Sequence, residues 1–352
     1  MQELLGRLRA LDPDAVVSLR VIACFDELIV GKVNSRALLS AAASLTGCAV
    51  GLRTDAPARG LRVTPSGDEL SGGYELPADP RLHWSDGAVT IWLERDDEPH
   101  ANDALIIERL SLALRVRYDR SGTADGRRDF SLLVDADVDR ARRFEAAARQ
   151  GLDLSTRYRF VVAPLFATWR QHPSAREDVI TTAVGPLHTL IVTEDTTTVD
   201  AAPVGIGQPA CVVDFPRAFR ASVVALRLAQ PPKTPVVLAD AYGGLLDVLA
   251  DLPAGHEPAE VPAVARIAAH GWGPATLDSL VRTGSVRQAA RLAGIHHSTM
   301  TTRVATVAGE LGFDPLDGIG RLRLGLAYLV WRLQTSGPLT LPAPVDGIAR
   351  TA

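Results

Sequence analysis

Apolar positions recur at helical intervals between residues 284 and 303, where the chain reads GSVRQAARLAGIHHSTMTTR. Val286, Ala289, Ala290 and Ala293 form one stripe, and Ser285 stands in front of it as an N-cap. Gly294 supplies a turn and Ile295 returns the chain to the core. A second helix starts near His297 or Ser298, with Met300, Val304, Val307 and Leu311 as its apolar stripe. The opposite face presents Ser298, Thr301, Thr302 and Ala305, with Arg303 at its flank. Gly312-Phe313-Asp314-Pro315 stops this helix, and a third over 321–333 carries Leu322, Leu326, Leu329 and Leu333 on one side. Two short helices joined by a glycine turn can lay the second in a DNA major groove. Small polar residues on that helix suit close approach to base edges and phosphates. The same periodicity equally serves a purely structural helix pair.

Upstream, the apolar period alternates between that of helices and that of strands. Over 1–120 the pattern predicts helices at 4–11 and 36–45, and strands at 48–53, 60–63 and 88–93 bounded by Gly, Pro and Asp. A long helix over 102–118 closes this segment. Its Leu105, Ile106, Leu110, Leu112, Leu114 and Val116 are too apolar for a solvated surface, so it should pack on another helix of the chain or of a partner. A polar, Gly-containing linker follows at 121–128. From there to about residue 241 the expected order is helix, strand, helix, strand, strand, helix, strand. The strands are 158–165, 188–193, 203–206 and 235–239, and the helices include 137–150 and 215–229.

Composition narrows the class. A length of 352 residues suggests two or three domains, and 47% hydrophobic content is ample for buried cores. No apolar run is long enough for a membrane span, and the opening MQELLGRLRALDPD lacks a signal-peptide pattern. Cys24, Cys48 and Cys211 are odd in number and widely spaced, as reduced core residues of a cytoplasmic protein would be. Lys32 and Lys233 are the only lysines against 35 arginines, a bias typical of GC-rich genomes, so arginine content alone says little about nucleic acid. Its distribution says more. Residues 275–334 hold seven arginines against four acids, a net of +3 on a chain of −4, and a basic head on an acidic body suits phosphate neutralisation.

Catalytic signals are thin. Gly31-Lys32 lacks the upstream glycine and the following Ser or Thr of a phosphate loop, and no Gly-x-Ser-x-Gly elbow occurs. His296 and His297 are adjacent, so their rings cannot share one ion, and no Cys or acid cluster lies beside them. Gly205-Ile206-Gly207 reads as a strand-end turn rather than a dinucleotide fingerprint. The expectation is a protein without enzymatic activity, cofactor or metal.

The run from 275 resembles the C-terminal helix-turn-helix domain of the PucR/CdaR family of bacterial transcription regulators. Gly284-Ser285, Ala289-Ala290, His296, Thr299, Arg303, Asp314-Pro315 and Arg321-Leu322-Arg323-Leu324 carry the resemblance, in register over about 60 residues. The family's recognition helix is usually rich in Arg and carries a Tyr before the retained Arg. Here Thr301, Thr302, Ala305 and Thr306 stand at those places, which lightens the expected grip on phosphates. The order of elements over 1–120 resembles a GAF-type sensor domain, which many members carry at that end. Gly151-Leu152-Asp153-Leu154, Val204-Gly205-Ile206-Gly207 and Ala225-Leu226-Arg227-Leu228-Ala229 resemble the family's degenerate GGDEF-like middle domain. Cyclase activity is not expected from it. That chemistry needs a Gly-Gly-acid-Glu hairpin to hold Mg²⁺, and the hairpin position reads Ala183-Val184-Gly185-Pro186-Leu187-His188.

The resemblance implies a multidomain α+β chain, GAF-like over 1–120 and degenerate GGDEF-like α/β over 129–241. A helical connector over 242–274, an all-α PucR-type helix-turn-helix domain over 275–334 and a flexible tail over 335–352 complete it. It implies a cytoplasmic transcription regulator of double-stranded DNA under the control of an N-terminal sensor, with a small-molecule effector. A homodimer is expected, because useful specificity needs two heads on two half-sites, and helix 102–118 and the middle domain are the candidate interfaces. Arg303 would contact phosphate or a guanine edge; Thr299, Thr301 and Thr302 would contact backbone or a thymine methyl. Arg287 and Arg291 would make flanking phosphate contacts, and His297 and Ser298 open the recognition helix. The alternative is a signalling or scaffolding protein whose terminal bundle binds another protein, and a third reading is a metabolic enzyme with an unrecognised site.

Overall fold

The computed structural model describes residues 13–31, 33–55, 58–73, 75–118, 128–173, 175–253 and 255–337. The helix expected over 4–11, nearly all of the linker over 121–128 and the tail beyond 337 lie outside these residues. The chain forms two compact units, divided between Asp247 and Val248.

The first unit opens on helix α1, Pro13–Val30, which the sequence reading missed. Proline fits the first turn of a helix, where its missing N–H costs nothing. Helix α2, Ser35–Thr46, starts where Asn34 accepts the Ala37 N–H and ends at Gly47, whose φ of 72° allows the left-handed stop. Strands β1 (Ala49–Asp55), β2 (Ala58–Val63), β3 (His83–Ser85) and β4 (Val89–Glu94) form an antiparallel sheet in the order β2-β1-β4-β3. Trp92 is core: a Cβ on Gly51 would sit 2.1 Å from its ring, so the glycine makes room for the indole. Trp84 is half-buried under the Arg115 guanidinium, 4.7 Å from the ring centre.

Helix α3, Asp103–Tyr118, packs Ile106, Ile107, Leu110, Ala113 and Leu114 into one core with Val21, Phe25 and Leu28 of α1 and Leu38 and Leu39 of α2. The helix therefore finds its expected partner inside the chain. The apolar face suggested as a dimer interface is already covered, and Leu112 is the large apolar side chain of α3 left exposed among the described residues. Asp103 anchors its start. Arg95 Nε and Nη2 donate to the two Asp103 carboxylate oxygens at 2.7 and 2.8 Å, and Nη2 also donates to Thr46 O at 2.9 Å. Both side chains are almost fully enclosed, at 5% and 2% exposure. Asp103→Ala leaves that buried guanidinium with only the exposed Asp97, 3.4 Å from Nη1, as counter-ion, so unfolding of this unit in urea should come easier by about 3 kcal/mol. An unmoved urea midpoint would refute the anchoring role.

The rest of the unit comprises α4 (Arg128–Val134), α5 (Arg140–Arg149), β5 (Tyr158–Pro164), β6 (Thr168–Trp169), β7 (Arg176–Thr182), β8 (Gly185–Thr193), β9 (Ala201–Ala202), β10 (Val204–Ile206), α6 (Phe215–Arg227) and β11 (Val236–Leu238). Five strands form a sheet in the order β11-β10-β5-β8-β7, with only β10 and β11 parallel, while β6 and β9 pair separately. The sheet is buried on both faces. Phe160 and Val162 of β5 join α4, α5 and α6 in one core, and Val161 and Ala163 join Leu190, Val204 and Ile206 in another.

Among the described residues no helix stands between β5 and residue 188, where one is expected, and β6 and β7 stand there instead. Strand β7 turns into β8 over Ala183-Val184, with Thr182 opposite Gly185, whose φ is 100°. Leu165 and Val179 also join the core of α1 to α3, so the two sheets are tied into one unit.

The second unit follows α7 (Leu245–Ala250), which runs across the division, and comprises α8 (Val261–Ala269), α9 (Gly273–Arg282), α10 (Val286–Leu292), α11 (His297–Leu311) and α12 (Gly318–Gln334). Its buried residues include Val264, Ile267, Leu277, Leu280, Ala289, Ala290, Met300, Val307, Leu324 and Ala327. The expected phase of α12 needs correction. Leu322 is 69% exposed, and Leu324 is buried in its place. A Cβ on Gly320 would sit 2.0 Å from Asp314 O, so this backbone contact turns residues 320, 324 and 327 inward and Leu322 outward.

Candidate nucleic-acid interface

Helix α10 is fixed at both ends by its own sequence. Ser285 Oγ accepts the Gln288 N–H at 3.3 Å, and Gln288 Oε1 reaches back to the Gly284 N–H at 3.1 Å, a reciprocal cap of the Ser-x-x-Gln kind. At the far end Gly294 takes a φ of 65°. The Ile295 N–H donates to Ala290 O at 3.0 Å and the Gly294 N–H to Arg291 O at 3.3 Å, the paired bonds of a Schellman stop. Ile295 is only half-buried, less than expected. His296 then caps α11, its Nδ1 lying 3.3 Å from the Ser298 N and 2.8 Å from Ser298 Oγ.

His297, Ser298, Thr299, Thr301 and Thr302 all lie exposed on α11. The hydroxyls of Thr301 and Thr302 donate to His297 O and Ser298 O at 3.0 and 3.2 Å, and Thr306 does the same to Thr302 O at 3.2 Å. Their donors are thus spent on their own helix, and methyls and lone pairs remain to face a ligand.

Arg303 lies elsewhere than that face. It is half-buried, its guanidinium 5.3 Å from the Trp272 ring centre, with Nη1 donating to Thr276 Oγ1 at 3.3 Å. The other arginines of 275–334 divide clearly. Arg282 pairs with Asp278 at 3.3 Å, Arg323 with Glu260 at 2.7 Å while covering Phe313, and Arg332 is buried against Tyr328. Arg287, Arg291 and Arg321 are exposed and form no ion pair with the described residues. Arg321, which the sequence reading gave no role in binding, reaches the N-terminal end of α10: a Cβ on Gly284 would meet its Nη1 at 3.2 Å.

A second cluster, in the first unit, escaped the sequence reading, which expected no metal ligands. Glu177 of β7 and His188 of β8 are diagonal neighbours on one sheet face, since Glu177 stands opposite Leu190 and Val179 opposite His188. His188 Nε2 lies 2.6 Å from Glu177 Oε2, and His172 Nε2 approaches the same oxygen at 3.0 Å. Glu27 of α1 brings its Oε2 to 4.0 Å from His172 Nε2. Burial raises the Glu27 carboxyl above its ordinary value despite the two histidines. For Glu177, burial pushes upward as well, but both imidazoles outweigh it and hold the carboxyl below the usual range. For His172, burial pulls downward, yet Glu177 and Glu27 together leave it above its ordinary value. A signal for this cluster existed only in the hairpin register, which requires β7.

Residues 275–330 match the family described as the PucR C-terminal helix-turn-helix domain. No curated protein matches the chain. Among solved structures, that of the Regulator of Polyketide Synthase Expression from Bifidobacterium adolescentis is similar at 15% identity, covering 60% of this chain and 96% of that one, with a TM-score of 0.25. So low a score carries no argument about the fold. What is shown is thus a terminal domain, α9 to α12 with the turn at Gly294, that is similar to the PucR C-terminal helix-turn-helix domain.

Proposed function

We propose that the protein regulates transcription by binding double-stranded DNA through residues 275–330, with α11 entering the major groove. The observation that carries this reading is the match of those residues to the PucR helix-turn-helix domain. The exposed polar face of α11 and three exposed arginines that form no ion pair among the described residues support it. In this reading Arg287, Arg291 and Arg321 neutralise phosphates. His297, Ser298, Thr299, Thr301 and Thr302 approach the bases, with thymine methyls as natural partners for the outward threonine methyls. Arg303 sets the orientation of α11 from behind, through Trp272 and Thr276.

The first unit is proposed as the receiving end, with a GAF-like sensor over 1–120 and a degenerate GGDEF-like domain over 129–241. A small-molecule effector and a homodimer placing two heads on two half-sites belong to the same proposal. The turn Ala183-Val184 carries no carboxylate, which fits a middle domain without cyclase chemistry.

The test is selection of genomic fragments by the full-length protein, followed by binding titrations at several salt concentrations. Selected fragments should outcompete random duplex, and their affinity should fall by orders of magnitude from low to moderate salt. Absence of any preference at low ionic strength would defeat the proposal. Selective capture of a protein with little salt response would favour the scaffolding alternative.

A further inference from the structure

We propose that Glu27, His172, Glu177 and His188 bind one divalent transition-metal ion, of which Zn²⁺ is the natural probe. The argument starts from protons. His172 Nδ1 lies 3.0 Å from Pro173 O, a carbonyl that can only accept, so Nδ1 carries the ring proton. In the neutral imidazole Nε2 is then a bare lone pair. It is a buried atom between two carboxylates, Glu177 at 3.0 Å, where the geometry is poor for a hydrogen bond, and Glu27 at 4.0 Å. Lone pair facing carboxylate is repulsive, a conflict that either a proton on Nε2 or a metal ion there removes, and a bound ion would displace that proton. The backbone carbonyl on Nδ1 is the outer partner that metal-bound histidines ordinarily have, since it fixes both tautomer and ring direction.

The donor atoms converge as a metal needs. One ligand atom from each of His172, Glu177 and His188 lies within 4.8 Å of the others. A tetrahedral ion with bonds of about 2.0–2.1 Å needs its ligands roughly 3.3 Å apart. His188 Nε2 and His172 Nε2, at 2.6 and 3.0 Å from Glu177 Oε2, need to spread by about 0.7 and 0.3 Å, and Glu27 Oε2, at 4.0 Å from His172 Nε2, needs to close by about 0.7 Å. Two carboxylates and two neutral imidazoles carry a charge of −2 in a largely enclosed place, which a divalent ion cancels. Paired imidazoles select a transition ion over Mg²⁺ or Ca²⁺, which take oxygen ligands. Gly31 adjoins the site: a Cβ there would lie 2.5 Å from the Glu177 carboxylate and would push that side chain from its present place.

The experiment uses the full-length chain, stripped with a chelator and titrated with Zn²⁺ against a zinc-binding dye. One ion should bind per chain. Glu177→Gln and His188→Asn should each weaken it by more than about 100-fold, beyond what loss of an outer partner causes. Trp169 supplies a second reading, since its ring centre lies 5.0 Å from that of His172 and 5.5 Å from that of His188. Paramagnetic Cu²⁺ should quench its fluorescence in the wild type, and Trp169→Phe should abolish that component. Should a ligand variant fail to fold, the quenching decides. A wild-type chain that takes up no stoichiometric Zn²⁺, or two folded variants with undiminished affinity, or Cu²⁺ that leaves Trp169 bright, would each overturn the proposal.

Discussion

Replacing Arg287 and Arg291 together by alanine should weaken binding to every duplex, specific or random, and flatten its salt dependence. Both side chains project from α10 into solvent without a counter-ion among the described residues. A helix beside the recognition helix crosses the phosphate backbone, where charge is read and sequence is not. Each phosphate contact contributes about 0.9 to the slope of log affinity against log salt, so each head should lose about 1.8. Stability should scarcely change, because neither arginine is tied down. Arg303→Ala separates the two kinds of arginine. It removes a guanidinium stacked on Trp272 and bonded to Thr276, so thermal stability of the head should fall and the salt slope should stay near that of the wild type. If the double variant keeps the wild-type slope, phosphate contact by α10 is wrong.

That contrast shows where sequence reading succeeded. The features legible in advance were local ones. Ser285, Ala289, Ala290, Gly294, Met300 and Val307 act within a turn or two of their own helix, and each does so as its spacing implies. Spacing places Arg303 only at the flank of the exposed face, and its contact with Trp272, 31 residues earlier on the chain, is beyond the reach of any periodicity. Leu322 and Leu324 differ by two positions along one helix, and the contact of Gly320 with Asp314 O decides which faces inward. In β7 the pattern is blurred because Asp178, Val179 and Ile180 are all buried in succession. Without that strand, Glu177 and His188 cannot be placed together, and neither can the residues that face them. The larger division of the chain into an α+β body and an all-helical head was legible, because the apolar period itself changes from one to the other.

Gly205→Val should unfold or severely loosen the first unit. The residue lies inside β10, not in a turn after it, with β5 on one side and β11 on the other. Helix α6 passes so close that a Cβ there would sit 2.3 Å from Leu226 N and 2.4 Å from Ser222 O. Both are backbone atoms of a helix whose Phe215 and Phe219 are locked edge-on against Phe160, at 4.9 and 5.7 Å between ring centres. Neither strand nor helix can retreat without opening that core. Overpacking costs about 1–3 kcal/mol where side chains can adjust, and a branched residue against fixed backbone should exceed that range. Gly207 provides the control, since its nearest obstacle is the Ser222 hydroxyl at 2.2 Å, a side-chain atom that can rotate at the expense of its bond to Ala218 O. Gly207→Ala should therefore cost less than Gly205→Ala when both are compared by urea denaturation of the first unit. Equal losses at the two positions would mean that the glycine pair serves something other than the close crossing of α6 over β10.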